Sequence, residues 1–520
     1  MPTNGLRQRR AEKERDIPSG SGEQAPDITA DASRACDGNR RLGTECHARA
    51  LTLQGLIITT RTTMMAYLPG TVGFPSARGR YAEITSLVRG CVKFAPLIEF
   101  AIRSDRDKSV GMNERFDNEL ADITSERVAA IDRPELRGGA MVRPPELAPH
   151  AGHLKAAAKR RLPSVVFDFL EGGSNDEVTL KRNRGDFEAL CLRQRVFDHV
   201  AVRNMRTVLF GQRAEIPLAL APIGMGGVFY PCAEIHAARA ASAFGVPYCL
   251  STLASCSIED VAAAVEAPFL FQLYLMKDRA INTALLQRAE SAKCPALVVN
   301  VDTAVQGRRN RDLDNGFMIP LKLRARHIAG IMQKPRWLFD WMRNKPTLGN
   351  LSPYSPDGRD LATVSAWAEP RFKGSVTVSD LEWLRRTWPR KLIVKGILDA
   401  EDAKLAVESG ADAVVISNHG GRQLDGASST IEMIPRIREA VGDNVELILD
   451  SGIRSGFDIL KALGRGANGC FIGRAFVYGL AAHGERGVSA ALELLAQELD
   501  EAMTLTGTAD VNALSKDLVF

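Results

Sequence analysis

From Leu154 onward, short apolar runs alternate with stretches of helical period, and this alternation constrains the fold more than any other feature of the chain. The runs span 217–221, 246–251, 268–273, 296–301, 391–395, 413–417, 446–450 and 469–473. Strand-like runs separated by helical segments are the mark of repeated βα units, and eight of them predict an α/β fold of the closed parallel TIM (β/α)8 type. Helix starts are visible between them. Ser257 with Asp260, and Ser379 with Glu382, are spaced as capping boxes. No internal repeat is visible beyond the βα alternation.

The polar residues fall where such an architecture needs them. Each run ends in a chemically useful group: Pro222 and Gly224; Ser251 and Thr252; Gln272 and Tyr274; Asn300 and Asp302; Lys395; Ser417 through Arg422; Asp450, Gly452 and Arg454; Gly473 and Arg474. A barrel gathers the carboxyl ends of its strands at one mouth, so these residues are expected to meet in one pocket. The loops after the last two strands join glycine amides to the cations Arg454 and Arg474, a composition suited to a phosphate. Between Ser417 and Gly426, the proton acceptor His419 lies three residues before the fixed cation Arg422. Gly420 and Gly421 let the backbone turn sharply and let a flat ligand approach. Together these groups suit removal of two electrons and two protons from an alcohol that carries a carboxylate.

With 520 residues the chain can hold two or three domains, or one barrel with a large appendage. Residues 1–145 are polar and punctuated by Gly, Ser and Pro, with apolar patches at Leu56–Thr59 and Phe94–Ile102 that lack sustained period. They are expected to form a long, largely disordered N-terminal extension to a barrel domain over 146–520. A haem domain there fails on ligands, since only His47 precedes His150. Alternatively, translation begins near Met141. Nine scattered cysteines with no Cys-x-x-Cys spacing read as reduced thiols, and no metal-ligand set is expected. The net charge of +5 and the lack of dense basic and aromatic stretches argue against nucleic acid. No uncharged apolar run of about eighteen residues predicts a transmembrane helix. The N-terminus fits neither a secretory signal nor an acid-poor transit peptide.

The string from Ser417 through Gln423, Leu424, Asp425 and Gly426 resembles the signature of the FMN-dependent α-hydroxy-acid oxidase and dehydrogenase family, and the likeness runs over roughly residues 150 to 515. It is nearest to that family's quinone-linked L-lactate dehydrogenases, with its mandelate dehydrogenases next. The resemblance implies FMN as cofactor. It makes His419 the base, Asp302 its carboxylate partner, Arg422 the bidentate clamp for a substrate carboxylate, Arg309 a second cation and Tyr274 a contact to the substrate hydroxyl. A surface cluster of Arg308, Arg309 and Arg311 is the plain alternative for Arg309. By the same resemblance Lys395 faces the flavin and stabilises charge on its reduction, while Ser251, Gln272 and Asn300 bond the ring edges. Pro222, Gly224, Ser417, Asp450, Gly452, Arg454, Gly473 and Arg474 complete the cofactor site.

Four positions depart, Asn300 and Phe169 from the family pattern and Gly224 and Leu253 from that of glycolate oxidases. Asn300 stands where a threonine is expected. Phe169, after Leu162 and Pro163, replaces a tyrosine that helps hold the carboxylate. Gly224 and Leu253 replace larger groups and leave room for a substrate bulkier than glycolate.

About ninety residues separate the fourth and fifth runs, far more than an ordinary βα connection. Within them 318–375 is expected to be an extended loop or membrane-contact insertion. Lys322, Arg324, Arg326, Lys334, Arg336, Arg343 and Lys345 interleave there with Leu321, Leu323, Ile328, Ile331, Trp337, Leu338, Phe339 and Trp341. That mixture suits the headgroup layer of an anionic membrane, and an active-site lid is the alternative. The resemblance extends to Pro335, Arg336 and Trp337. The expected enzyme is therefore peripheral at the cytoplasmic face of a membrane, or else cytoplasmic. It oxidises an L-2-hydroxy acid, most simply L-lactate to pyruvate, and passes electrons to a quinone. Family members are commonly tetramers. The alternatives are a mandelate-like or bulkier substrate, or oxygen as acceptor.

Overall fold

A computed structural model describes Ala148 and residues 150–198, 200–316 and 325–520. All lie within one unit of the chain, Asp132–Phe520. The expectations for residues 1–145, His47 and the two apolar patches included, fall outside the described residues, as do Leu321, Lys322, Leu323 and Arg324.

All eight sequence-predicted strands form. After an antiparallel hairpin of β1 (Thr207–Leu209) and β2 (Gln212–Ala214) come β3 (Leu218–Leu220), β4 (Cys249–Ser251), β5 (Leu270–Leu273) and β6 (Ala296–Asn300). They are followed by β7 (Lys391–Ile397), β8 (Ala413–Ile416), β9 (Glu446–Asp450) and β10 (Gly469–Ile472). The last eight are parallel, in the order β3-β10-β9-β8-β7-β6-β5-β4. A bridge between Leu220 and Tyr248, with Leu220 N–H donating to the Pro247 carbonyl at 2.9 Å, joins the two ends and closes the barrel.

Alternation along each strand divides the core in two. Inward residues such as Ala219, Cys249, Leu270, Val298, Ile393, Val415, Ile448 and Phe471 fill the barrel, and the hairpin supplies Leu209, Phe210 and Ala214 to the same cluster. Phe210 stacks on Phe471 at 5.4 Å, and its N–H donates to Glu446 at the start of β9. The hairpin therefore plugs the amino end and leaves the carboxyl end for the site. Outward residues, among them Leu218, Leu220, Leu392 and Val414, pack under the helices.

The Ser257–Asp260 box caps the helix Ile258–Ala264 as expected. The second box is shifted by two residues. The helix Val378–Thr387 is capped by Thr377 and Asp380, not by Ser379 and Glu382. Asp380 is fully buried, accepts from the Thr377 N–H and hydroxyl, and pairs with Arg279 and Lys373, so burial of that ion cluster selects the register. Between β6 and β7 the described chain forms five α-helices: Asn310–Asn315, Ala325–Met332, Pro335–Asn344, Leu361–Ala368 and Val378–Thr387. Trp337 anchors the third, its indole donating to the Val228 carbonyl at 2.9 Å. On the same pair of helices Ile328, Met332, Phe339 and Met342 stay more than half exposed.

Candidate active site

The loop after β8 turns through three successive left-handed residues, His419, Gly420 and Gly421, at φ 58°, 70° and 74°. The glycines adopt this freely, whereas His419 needs outside support to hold it. Support comes from three sides. Its N–H donates to Ser417 Oγ at 3.1 Å, its Nδ1 lies 3.1 and 3.2 Å from the Asp302 carboxylate oxygens, and its Nε2 lies 3.4 Å from the Tyr274 hydroxyl. Residues from the ends of β5, β6 and β8 thus converge on one imidazole. Burial alone would raise the Asp302 carboxyl, but the charge and hydrogen bond of His419, with the charge of Lys395, bring it below the ordinary carboxylate range. Burial, then the Asp302 charge, pushes the Tyr274 phenol up, so it remains a hydrogen-bond donor at neutral pH.

Arg422 donates through Nη1 to the Phe169 and Gly172 carbonyls at 2.8 and 2.9 Å. Its guanidinium lies 5.1 Å from the Phe169 ring, and that of Arg309 lies 5.8 Å from the same ring. Arg311 pairs with Glu177, whereas Arg309 lies over the same Phe169 ring as Arg422 and pairs with Asp312 at 3.4 Å. Burial, then the charges of Arg309 and Arg474, pulls the Arg422 pKa well down, opposed by the carboxylate of Asp312, which pairs with Arg309 at 3.4 Å. Phe169 sits on the helix Ser164–Glu171 at the expected place and stacks on Phe229 at 6.0 Å.

The residues expected at the cofactor form three groups. Lys395 is buried at the end of β7 and donates to Asp450 Oδ2 at 2.5 Å and Ser417 Oγ at 3.0 Å, and Ser417 donates to the same Asp450 oxygen at 2.7 Å. Burial opposes the Lys395 charge, but Asp450 and Asp302 outweigh it and raise the pKa. Next, Ser251 donates to Gln272 Oε1 at 2.9 Å and Asn300 Nδ2 donates to Asp302 Oδ1 at 3.0 Å. Gln272 Nε2 and Asn300 Oδ1 are buried with no partner. One orphan donor and one orphan acceptor on adjacent strands match the carbonyl and N–H edge of a flavin pyrimidine ring.

The third group lies beyond β9 and β10. Arg474 donates to the Leu170, Gly420 and Gly172 carbonyls, each at 2.9 Å, and Arg454 bonds the Ile453 carbonyl. Neither forms an ion pair among the described residues. Burial and then the Arg454 charge lower the Arg474 pKa to about 10. Two neighbouring cations beside Gly473, at the N-terminus of the helix Arg474–His483, suit a phosphate. Pro222 and Gly224 follow β3, and a Cβ on Gly224 would meet that of Leu253 at 3.0 Å. Gly452, at φ 90°, lies so close to Asn183 that a Cβ would come within 2.5 Å of its carbonyl oxygen.

Several positioning residues escaped the sequence reading. Gln423 Nε2 donates to the Asp302 and Val305 carbonyls and its Oε1 accepts from Gly307 N–H, tying the loop after β6 to the loop after β8. Asn183 and Asn418 exchange amide hydrogen bonds at 2.9 and 2.7 Å. Carbonyls of 169–172 hold both Arg422 and Arg474, and a carbonyl partner leaves no mark in sequence.

Residues 158–520 match the family model described as FMN-dependent dehydrogenase. The chain is 44% identical over 367 residues to an L-lactate dehydrogenase of Caulobacter vibrioides, covering 70% of this chain and 96% of that protein. It is 43% identical over 365 residues to one of Vibrio cholerae, with the same coverage. Among solved structures, the monotopic membrane protein (S)-mandelate dehydrogenase superposes with a TM-score of 0.68 at 37% identity, over 71% of this chain and 98% of that one. A mandelate oxidase with (S)-2-phenylpropionate gives 0.60, also at 37% identity, over 71% and 97%. With seven-tenths of its length matched in this way, the chain belongs to the FMN-dependent dehydrogenase family.

Proposed function

We propose that this protein oxidises an L-2-hydroxy acid, L-lactate before others, to the 2-keto acid and delivers the electrons to a membrane quinone. The observation that carries the reading is His419, held between Asp302 and Tyr274 beside Arg422, which has no ion pair among the described residues, and Arg309, whose one carboxylate partner is Asp312 at 3.4 Å. Arg422 is the carboxylate clamp and Arg309 the second cation, because a buried anion is what their mutual repulsion favours. Tyr274 donates to the substrate hydroxyl. His419 takes up a proton at Nε2 while Asp302 steadies the imidazolium that results.

FMN, when bound, supplies the two-electron acceptor. Lys395, Ser251, Gln272 and Asn300 would hold its ring, and Arg454, Arg474 and the amides near Gly473 its phosphate. Pro222, Gly224, Ser417, Asp450 and Gly452 shape the same site. Asp450 keeps Lys395 charged in a buried place, so positive potential lies where the reduced ring gains electrons.

Phe169 favours a second reading, a mandelate-like or bulkier hydroxy acid, because it offers an aromatic wall without a hydroxyl. The room expected at Gly224 is not there, since a Cβ on it would already meet that of Leu253 at 3.0 Å. For the acceptor, the exposed Ile328, Met332, Phe339 and Met342 beside basic residues support peripheral attachment at the cytoplasmic face of a membrane. No helix among the described residues is long and apolar enough to cross one. By the same family resemblance, a tetramer is the proposed active form.

Anaerobic mixing with L-lactate, mandelate and other 2-hydroxy acids tests the function. L-Lactate is expected to bleach the flavin fastest. A flavin that no 2-hydroxy acid reduces defeats the assignment, and rapid reoxidation by oxygen in place of quinone replaces dehydrogenase with oxidase.

A further inference from the structure

The exposed helix pair borders a cavity of about 410 Å³ that shares no residue with the site above. Its wall includes Arg161, Arg336, Phe339, Asp340, His483 and Arg486. Arg161 and the carboxylate of Asp340 cancel one another at 2.6 Å, and Arg161 further donates to the Phe229 and Ala481 carbonyls. Arg336 and Arg486 form no ion pair or side-chain hydrogen bond among the described residues. Burial, and then the charges of Arg486 and Arg161, hold the His483 imidazole below its ordinary pKa, as expected inside an uncompensated positive field.

The helix Glu485–Thr506 begins at this wall, and its first carboxylate, Glu485, lies 3.5 Å from His236. The cavity therefore presents two free guanidinium groups and no free carboxylate. Its rim is apolar. Phe339 lines the cavity at 62% exposure, and Met342, Met332 and Ile328 carry the bare surface onward along the two helices. An anion hole edged by apolar side chains fits an amphiphile better than a free ion, because the ridge needs a partner that the anion alone does not provide.

We propose that this cavity binds the phosphodiester headgroup of an anionic phospholipid, with Arg336 and Arg486 as anion partners and Phe339, Met342, Met332 and Ile328 entering the acyl layer. The proposal rests on the membrane-contact reading above and adds a defined headgroup site to it.

The test sediments the full-length, FMN-loaded protein with phosphatidylcholine vesicles that contain or lack phosphatidylglycerol. The wild type is expected to follow the anionic vesicles, and Arg336→Gln/Arg486→Gln to need about thirty-fold more lipid, at roughly fivefold for each cation near the surface. Arg343→Gln/Lys345→Gln, outside the cavity on the same face, is expected to change the requirement much less. Soluble dihexanoyl-phosphatidylglycerol should compete, and inorganic phosphate at equal concentration should not. Dye-linked turnover, unchanged in both double variants, confirms folded holoenzyme. Equal losses in the two double variants would reduce the site to diffuse charge, and equal competition by inorganic phosphate would reassign it to a free anion; either overturns the proposal. A wild type that binds no vesicle overturns the membrane reading beneath it.

Discussion

Replacing Asp302 with asparagine separates a catalytic carboxylate from a merely structural one. In the folded protein the Asp302 side chain is 10% exposed and its Oδ2 lies 3.1 Å from His419 Nδ1. Two opposite charges centred about 4 Å apart at an effective dielectric near 20 attract by about 4 kcal/mol. Asparagine keeps the shape and one acceptor, and that neutral hydrogen bond retains about 1 kcal/mol. The net loss of about 3 kcal/mol applies to the state in which His419 has taken up the substrate proton, as the proposed reaction requires. At about 1.4 kcal/mol per factor of ten, flavin reduction by L-lactate should slow roughly 150-fold. KM should change little, since Arg422 and Arg309 are untouched. Anaerobic stopped-flow reduction measures the rate, and fluorescence titration with FMN confirms that the cofactor site survives. A variant that binds FMN normally and is reduced within about fivefold of the wild-type rate refutes the pairing as a catalytic device.

Three further outcomes follow from the same geometry. Phe169→Tyr adds a hydroxyl beside Arg309 and Arg422 and should lower KM for L-lactate two- to tenfold, the effect of about 0.5–1.5 kcal/mol; steady-state kinetics with the soluble dye check this. Gly452→Ala places a Cβ 2.5 Å from the Asn183 carbonyl oxygen at φ 90°, and overpacking there should cost about 1–3 kcal/mol and weaken FMN binding, read by denaturant melts with and without FMN. Asp380 is the pH-dependent case. Burial opposes its charge, but Lys373 and Thr377 hold the carboxyl at about 2, below its ordinary value near 4. A depressed carboxyl contributes stability above the unfolded pKa and loses it as pH falls through the folded one. Asp380→Asn should therefore cost about 2 kcal/mol at neutral pH, and the gap from wild type should close between about pH 4 and pH 2 in urea melts.

Much of the site was legible because chemistry that needs particular side chains at strand ends leaves them in order along the chain. His419, Asp302, Tyr274 and Arg422 were readable for that reason, and the structure brings them together. The second capping box was misread because Ser379 and Glu382 have the right spacing but not the right burial. The pull of Arg279 and Lys373 on Asp380 is tertiary. Arg309 could be told from Arg308 and Arg311 only once Glu177 was seen to take Arg311. The tie made by Gln423, the pairing of Asn183 and the carbonyls of 169–172 stayed unread, because their partners are backbone atoms or lie on elements distant in sequence.

By itself the sequence determined the eight-stranded parallel barrel, the mouth at which its polar residues collect, and the identity of the groups that meet there. Apolar period and residue type are local properties, and they suffice for that much. Which groups are neutralised and which remain free was decided by the tertiary structure alone. Asp450 occupies Lys395, Asp340 occupies Arg161 and Glu177 occupies Arg311, while Arg422, Arg454, Arg336 and Arg486 keep no ion pair among the described residues. The physical reason is that electrostatic pairing depends on distance in space and on desolvation, and neither is written in the order of the residues.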